Sequence, residues 1–340
     1  MGARFAIIVP MDLKQKMVKA GLWLGILAVF LPGCGSSGKA IRESEVLVED
    51  VQEAAQPEPK KNPFSDLSVP TQVNKIGDTY FIVDCYHNEV IYHENMEDPL
   101  SEWEVMTDEM DKGHTIAGDG EVFLIDDTEN ERIMVFEEAQ GRYVFSQQFT
   151  GIGGRPHYIV YHEPTESFYC WCSTGGRMLV LKREKDSHRV ALMEERVIPE
   201  LEGIYVRSFT ILGDEVYFVS GPSSVIRARL ADLKILERIP VPEEMAGMVQ
   251  LTRIGEYYYI TISTDAAWNQ DAATMIRCRD LSGLMKGEYE DVYSNFIGGG
   301  TPYYITQIGE EYYLTEHRIP GHSIWRFTEE DGEIRAETVY

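Results

Sequence analysis

The sequence contains little positive charge, few cysteines and none of several common catalytic motifs. Its 340 residues include 31 Lys and Arg against 56 Asp and Glu, which gives a formal net charge of −25. Nucleic-acid phosphates bind concentrated positive charge, so this balance excludes nucleic acid as a partner. The chain also has no serine nucleophile elbow, no HExxH sequence and no P-loop, so the sequence indicates none of the chemistries that these motifs support.

The five cysteines offer no convincing disulfide pair. Cys170 and Cys172 lie two positions apart on one predicted strand and point to the same face, a spacing at which bridges rarely form. No histidine spacing in the chain forms a zinc motif with a cysteine. We therefore expect the cysteines after residue 34 to be free and mostly buried.

The first 33 residues are predicted to be a signal peptide. Lysines precede an apolar run over residues 21–31, which is too short to span a bilayer comfortably. The run leads into Leu-Pro-Gly-Cys, which ends at Cys34 and resembles the bacterial lipobox, where the cysteine is lipidated and becomes the mature N-terminus. The alternative is a short membrane anchor in which Cys34 has no role.

The segment after Cys34 has the composition of a tether. Residues 34–66 are small, acidic and proline-containing, and such a segment buries too little surface to offset chain ordering. Within it, residues 44–51 are expected to form a short strand or helix. We therefore expect a monomer outside the cytoplasm, held on a bacterial membrane by its lipid alone, because an acidic surface repels anionic headgroups.

One short pattern recurs six times in the remaining chain. Each copy has a Gly-Asp or Gly-Glu turn or its equivalent, followed by an aromatic residue among alternating β-formers that end at a strand tip. The tips lie at residues 84, 126, 171, 220, 262 and 316, so the steps are 42 to 54 residues. A period in the forties is that of a four-stranded propeller blade, and no long segment of residues 69–340 has helical periodicity. The sequence predicts an all-β fold over residues 67–340, a six-bladed β-propeller with four antiparallel strands per blade.

The second and third copies resemble a known type of propeller. In residues 113–136 a strand ends at Asp126 and is followed by an Asn-x-Arg turn, and in residues 154–159 a Pro-His pair opens the next innermost strand. This run resembles the NHL-repeat type of six-bladed propeller. The resemblance implies the fold and says little about activity, because this architecture hosts many functions.

Aligning the copies places a ring of polar, charged and aromatic residues at one mouth of the central channel. In a propeller the start of the innermost strand and the end of the second strand meet at the same face. The candidate ligand-binding residues gathered there are His114, His157, Arg207, Tyr303, Asp84, Asp126, Trp171 and Glu316. Trp268 joins them, because its longer loop follows a second strand and should overhang the same face. Polar groups that converge on an apolar scaffold are typical of a ligand site.

Each candidate also has a purely structural interpretation. The carboxylates of Asp84 and Asp126 could cap turns, and the two histidines could hydrogen-bond neighbouring blades. Trp171 and Tyr303 could be packing residues, and the Trp268 loop could pack on its own blade. Arg207 is harder to dismiss, because a buried guanidinium needs a carboxylate, which either a neighbouring residue or a ligand supplies.

Two classes of function remain open. The first is a recognition or scaffold protein that binds a small molecule, glycan or protein partner at the mouth. The second is a metal-dependent lyase or lactone hydrolase, since the chain resembles gluconolactonase-type hydrolases and peptide-amidating lyases. The amidating lyases use histidines at innermost-strand starts near an arginine and a tyrosine. In that case His114 and His157, with Asp126 or Glu316, would hold Zn²⁺ or Ca²⁺.

Overall fold

The structure is a computed structural model that describes residues 46–51, 60–220 and 224–340, without the side chain of Ser220. Six sheets are built from consecutive segments of the chain, and four antiparallel strands follow one another in chain order within each. The predicted six-bladed β-propeller is therefore confirmed. The signal peptide, Cys34 and most of the predicted tether lie outside the described residues.

The blades are numbered in chain order. Before them lies β1 (Leu47–Asp50), and blade 1 contains β2 (Pro70–Ile76), β3 (Thr79–Asp84), β4 (Glu89–His93) and β5 (Glu104–Thr107). Blade 2 contains β6 (Ile116–Gly118), β7 (Val122–Asp127), β8 (Arg132–Glu138) and β9 (Tyr143–Thr150), and blade 3 contains β10 (Pro156–His162), β11 (Ser167–Cys172), β12 (Arg177–Arg183) and β13 (Val190–Val197). Blade 4 contains β14 (Val206–Leu212), β15 (Glu215–Ser220), β16 (Ser224–Arg229) and β17 (Ile235–Pro240), and blade 5 contains β18 (Met248–Ile254), β19 (Tyr257–Ile262), β20 (Thr274–Cys278) and β21 (Glu290–Asp291). Blade 6 contains β22 (Thr301–Ile308), β23 (Glu311–His317), β24 (Ile324–Glu330) and β25 (Glu333–Thr338).

Helices are few and short, as the missing periodicity predicts. In the described part of the chain all are 3₁₀ helices, at Leu100–Glu102, Glu163–Thr165, Pro199–Leu201, Glu243–Met245, Gln270–Ala272, Leu281–Lys286 and Tyr293–Asn295. None of the helices in the described ranges has the length and apolarity needed to cross a bilayer.

The repeated glycine marks the turn between the two inner strands of a blade. Gly77, Gly213, Gly255 and Gly309 all have positive φ, between 54° and 65°. A side chain strains this left-handed backbone, so glycine is favoured at the turn. The strand that follows carries the aromatic residue of the pattern, which explains why the repeat is legible in the sequence.

The hydrophobic core lies between blades rather than in one central mass. Six buried clusters are present, and each is formed mainly by two blades that are neighbours in the ring. One example contains Phe81 of blade 1 with Phe123 and Met134 of blade 2. The four cysteines of the propeller are free and buried in these layers or beside them, as expected.

Hydroxyl side chains on the two inner strands of a blade bond to carbonyls at the start of the next blade. The Thr71 hydroxyl donates to the carbonyl of His114 at 2.8 Å, and the Thr261 hydroxyl donates to the carbonyl of Tyr303 at 2.6 Å. The Thr315 hydroxyl donates to the carbonyl of Thr71 at 2.7 Å, which joins blade 6 to blade 1. These bonds satisfy carbonyls that a buried inner strand would otherwise leave unpaired.

The ring closes without an exchanged strand, because each blade takes its four inner-to-outer strands from one stretch of chain. Blade 6 has its own outermost strand, as the sequence predicts. Packing of the first blade against the last completes the circle, and the Trp103 indole donates to the Tyr340 hydroxyl at 3.0 Å.

An additional strand lies on the outer edge of blade 2. β1 pairs antiparallel with β9 from Leu47 opposite Thr150 to Asp50 opposite Gln147. An ion pair between Asp50 and Arg189 extends the contact to blade 3. The segment expected to form a short strand or helix is thus a strand, although it falls in the range predicted to be a tether.

Candidate functional site

A β-bulge opens the innermost strand of five blades at the position that the repeat alignment selects. The register between the first and second strands shifts at Thr71, His157, Arg207 and Val249, and at Tyr303 with Tyr304. A bulge inserts an unpaired residue and re-aims its side chain. These side chains therefore point into the mouth because of the bulges. The regular alternation of side chains along a strand does not predict this orientation.

The mouth on this side of the ring is a cavity of about 460 Å³. Its lining comes from all blades except the third and from the loops between blades: Val69, Thr71, Cys85, Tyr86, Lys112, His114, Glu129, Arg155, Tyr205, Arg207, Ser263, Thr264, Trp268, Gln270, Thr301, Tyr303 and His317. A volume of this size accommodates a small molecule.

Aromatic side chains close the channel below the mouth. The rings of Tyr158 and Tyr304, from opposite blades 3 and 6, meet edge to face with centroids 4.9 Å apart. The Gln250 amide donates to the Tyr158 hydroxyl at 3.1 Å and accepts from the backbone N–H of Ile305 at 2.7 Å. The other end of the ring is a separate, wider cavity of about 970 Å³.

Positive charge collects at the mouth of this acidic protein. Lys112, Arg155 and Arg207 line the cavity, against one carboxylate in its lining, Glu129. Glu129 pairs with Arg155 at 2.6 Å. The cavity lining therefore carries two more positive charges than negative ones. Such a local field attracts and retains anions.

Arg207 is one of two cavity cations, with Lys112, that form no ion pair with a carboxylate of the described residues. Its guanidinium donates to the Ser263 hydroxyl and lies over the Tyr205 ring at 5.3 Å. No carboxylate of the described residues lies within 4.0 Å of its nitrogens. Arg207 is half-buried, and the carboxylate that sequence reasoning expects beside it is not supplied by the described part of the protein.

Polar atoms without partners also surround the mouth. The hydroxyls of Thr264 and Thr301 and the Nδ1 atom of His317 are buried and make no hydrogen bond to any described residue. Burial and the nearby charges of Arg318 and Arg207 lower the pKa of His317 to about 4, so this imidazole is neutral at pH 7. Unpaired buried polar atoms are costly, and a polar ligand would satisfy them.

Two exposed aromatic side chains stand at the rim. Tyr86 is 60% exposed and Trp268 is 69% exposed. Trp268 belongs to the loop predicted to overhang this face, and it lines the cavity. Trp268, Lys112 and Arg155 all have positive φ, at 63°, 56° and 60°. Non-glycine residues in this conformation are strained and are often found at functional sites.

The two predicted histidines are stacked on each other. The rings of His114 and His157 lie 3.8 Å apart, and only His114 lines the cavity. His157 contacts the hydroxyls of Tyr205 at 3.1 Å and Tyr304 at 3.5 Å. Burial and the positive charge of its neighbours lower the pKa of His157 well below the usual value. His157 is therefore an uncharged ring on which His114 stacks.

The two predicted aspartates bind the backbone that leads into the innermost strands. Asp84 accepts from the N–H groups of Ser68 and Val69 at 2.9 and 3.0 Å. Asp126 accepts from the N–H groups of His114 at 2.9 Å and Thr115 at 2.7 Å. Both carboxylates are buried and lie outside the cavity lining. Their contacts agree with the structural interpretation, in which they cap backbone N–H groups.

Two further candidates lie inside blades. Trp171 is 0% exposed and packs on Phe218 with ring centroids 4.5 Å apart. Glu316 accepts from the Tyr293 hydroxyl at 2.5 Å and from the Trp325 indole at 2.9 Å. Of the nine sequence candidates, the structure brings together four in the cavity lining, which are His114, Arg207, Tyr303 and Trp268.

The donor atoms of the proposed metal ligands do not form a cluster. The Nδ1 atom of His114 lies 3.6 Å from Oδ2 of Asp126. The nitrogens of His157 face tyrosine hydroxyls, and the three residues are not among the groups of three donors that the described residues bring within 4.8 Å of one another. The group that does converge is Asp84, His87 and Glu89 in blade 1.

Several mouth residues escape the sequence pattern. Tyr86, Lys112 and Arg155 lie in the connections that flank the repeated strands, and Tyr205 precedes β14. The repeat alignment considers strand ends only. Its extension by two residues into each adjoining loop would have included all four.

Comparisons with known proteins give the fold and no family. No protein-family model matches the sequence, and no match was found among curated proteins. A streptogramin B lyase superposes with a TM-score of 0.56 at 15% identity over 86% of this chain and 87% of that chain. A 6-phosphogluconolactonase-like protein from Bacteroides uniformis gives 0.54 at 14% identity, with 76% and 81% covered. The β-propeller domain of Cps50 (Swd1) from Myceliophteria thermophila gives 0.51 at 10%, with 83% and 89% covered. At such low identity the likeness shows the fold alone.

Proposed function

We propose that this protein is a ligand-binding propeller that holds an anionic small molecule at the channel mouth. The observation that carries the proposal is Arg207, a guanidinium in the cavity wall with no carboxylate partner among the described residues. A carboxylate or phosphate group would supply that partner through charge-assisted hydrogen bonds. The unpaired atoms of Thr264, Thr301 and His317 surround the same space.

The rim indicates the rest of the ligand. Tyr86 and Trp268 expose aromatic faces at the mouth, and Lys112 lies over the Tyr86 ring at 4.3 Å. Aromatic faces at a polar site suit a sugar ring or another flat body. The ligand class that fits is therefore a ring-bearing acid, such as a sugar acid or a phosphorylated sugar, rather than a neutral glycan.

The test is calorimetric titration at low salt with glucuronate, inorganic phosphate and glucose as probes. We expect the two anions to bind and glucose not to bind. Arg207→Gln should weaken anion binding about 10- to 100-fold, the effect of losing one charged hydrogen bond. Arg238→Gln is the matched control, because Arg238 is exposed on β17 and outside the mouth.

A substitution of Trp268 tests the ring of the proposed ligand separately from its acid group. Trp268→Ala should weaken glucuronate binding and leave phosphate binding unchanged, because phosphate has no ring to stack. The proposal fails if neither anion binds, or if Arg207→Gln and Arg238→Gln bind them equally well.

A lyase or lactone hydrolase at the same mouth is the second proposal, made without a metal because His114, His157 and Asp126 do not converge as a ligand set. Its support is the neutral His317, whose unpaired Nδ1 atom could accept a proton from a substrate anchored by Arg207. Turnover that is lost in His317→Gln while anion binding persists would favour this proposal over binding alone.

We also propose, from the sequence, where the protein is located and which type of propeller it derives from. The lipobox-like sequence ending at Cys34 supports a lipid anchor and a position outside the cytoplasm. The Asn-x-Arg turn of blade 2 supports an NHL-type origin: Asn130 donates to Asp127 at 3.0 Å, and Arg132 reaches the same carboxylate at 2.5 Å.

A further inference from the structure

We propose that Asp84, His87 and Glu89 form a binding site for a divalent transition-metal ion at the edge of blade 1. Each offers one donor atom, and these atoms all lie within 4.8 Å of one another. None of the three lines the mouth. The site is therefore separate from the proposed anion site, although Cys85 and Tyr86 of the same turn do reach the mouth.

Local structure brings the three residues together. Asp84 ends β3 and Glu89 begins β4, and the two are cross-strand partners in the antiparallel ladder. His87 lies in the turn between them, so the hairpin itself sets the spacing. The Nδ1 atom of His87 is 2.9 Å from Oδ2 of Asp84.

Glu89 points to a missing ligand. Its side chain is buried, at 1% exposure, and its Oε1 atom has no hydrogen-bond partner in the described structure. A buried, unpaired carboxylate beside a second carboxylate is unfavourable unless it takes up a proton or a cation neutralises it, and burial with the nearby Asp84 raises the pKa of Glu89 to about 7. A metal ion would supply that charge and occupy the free lone pair.

Groups around the cluster hold two of its ligands in place. The backbone N–H groups of Ser68 and Val69 orient the Asp84 carboxylate. The His87 ring is stacked flat on Phe64, with centroids 3.6 Å apart and an interplanar angle of 4°. Such outer contacts commonly fix metal ligands. They come from residues 64–69, so a bound ion would also fasten this segment to blade 1.

The donor set selects the kind of ion. One imidazole nitrogen and two carboxylates suit Zn²⁺ or a similar ion at about 2.0–2.2 Å. Ca²⁺ prefers about six to eight oxygen ligands, which three residues with a nitrogen among them do not provide. A side-chain adjustment of Glu89 would bring the donors to the shorter separations that such bonds require.

The experiment titrates ZnCl₂ into the untagged, EDTA-treated full chain against a chromophoric chelator. We expect one tight Zn²⁺ per chain and a higher Tm when the ion is bound. Glu89→Gln and His87→Gln should each weaken this site at least tenfold and abolish the rise in Tm. His93→Gln, in the same blade and outside the cluster, should behave as the unmodified protein.

Melting in EDTA shows that each variant is folded. Glu89→Gln should melt no lower than the unmodified protein, because it removes a buried charge that has no partner. The proposal is wrong if the unmodified protein binds no Zn²⁺, or if both cluster variants bind it as tightly as His93→Gln does. Anion binding in EDTA reports on the mouth independently of this site.

Discussion

His317 shows how one half-buried side chain can make folding stability depend on pH. Its pKa is lowered from 6.5 to about 4 by burial and by the charges of Arg318 and Arg207. The unfolded chain therefore takes up a proton near pH 6.5 that the folded chain takes up only near pH 4. The free energy of unfolding therefore has its full value above pH 6.5 and falls as the pH is lowered towards 4.

We expect His317→Gln to reduce the acid sensitivity of folding. The free energy of unfolding of the unmodified protein should fall by up to about 3 kcal/mol more than that of the variant between pH 7 and pH 4. Urea unfolding at the two pH values measures the difference. Parallel losses in both proteins would show that His317 does not carry this effect.

Sequence reasoning at the residue scale identifies residue types better than their surroundings. Arg207 and Trp268 are at the mouth as predicted. Asp84 and Asp126 occupy the predicted strand tips, yet they bind backbone N–H groups and do not line the mouth. A carboxylate at a strand end looks the same in sequence whether it faces a ligand or a turn, because the difference depends on a rotamer and on the loop opposite.

At the scale of elements, the repeat predicts the blades because each blade obeys the same local rules. The glycine turn and the alternating strand recur in the sequence, so all six second strands could be located. The bulges at Thr71, His157 and Arg207 could not be, because a bulge depends on pairing with the next strand and has no residue signature here.

The joint between blades 6 and 1 can be compared with an ordinary blade interface. Thr315→Val and Thr261→Val each remove a buried hydroxyl that bonds the next blade. Each should cost about 1–3 kcal/mol, since a carbonyl loses its partner. Because no connecting loop joins blade 6 to blade 1, only Thr315→Val should speed hydrogen exchange in β2, since Thr261→Val leaves the bond from Thr315 to Thr71 intact. Equal exchange in the two variants would mean that the joint is as secure as the others.

At the scale of the whole molecule, charge is divided unequally. The chain carries a net −25, yet the mouth concentrates Lys112, Arg155 and Arg207. An acidic exterior repels anionic lipid surfaces, whereas the basic residues of the mouth favour small anions. Composition predicts the first property and cannot predict the second, because the basic residues converge only in the folded ring.

The proposed lipid anchor is tested on the whole protein expressed in a bacterium. We expect intact-mass analysis to show a mature chain that begins at Cys34 and carries acyl chains, found in the membrane fraction. Cys34→Ser should lack the lipid mass, since serine offers no thiol for attachment. An unmodified chain with residues 1–33 still attached would instead support the short membrane anchor.

The aromatic closure at Tyr158 and Tyr304 turns a ring into a cup. A guest that enters beside Trp268 has no exit at the far end, so it must leave through its own entrance. Its residence time would then be set by the rim alone, and rim substitutions should alter how long a guest stays even where they leave the floor untouched.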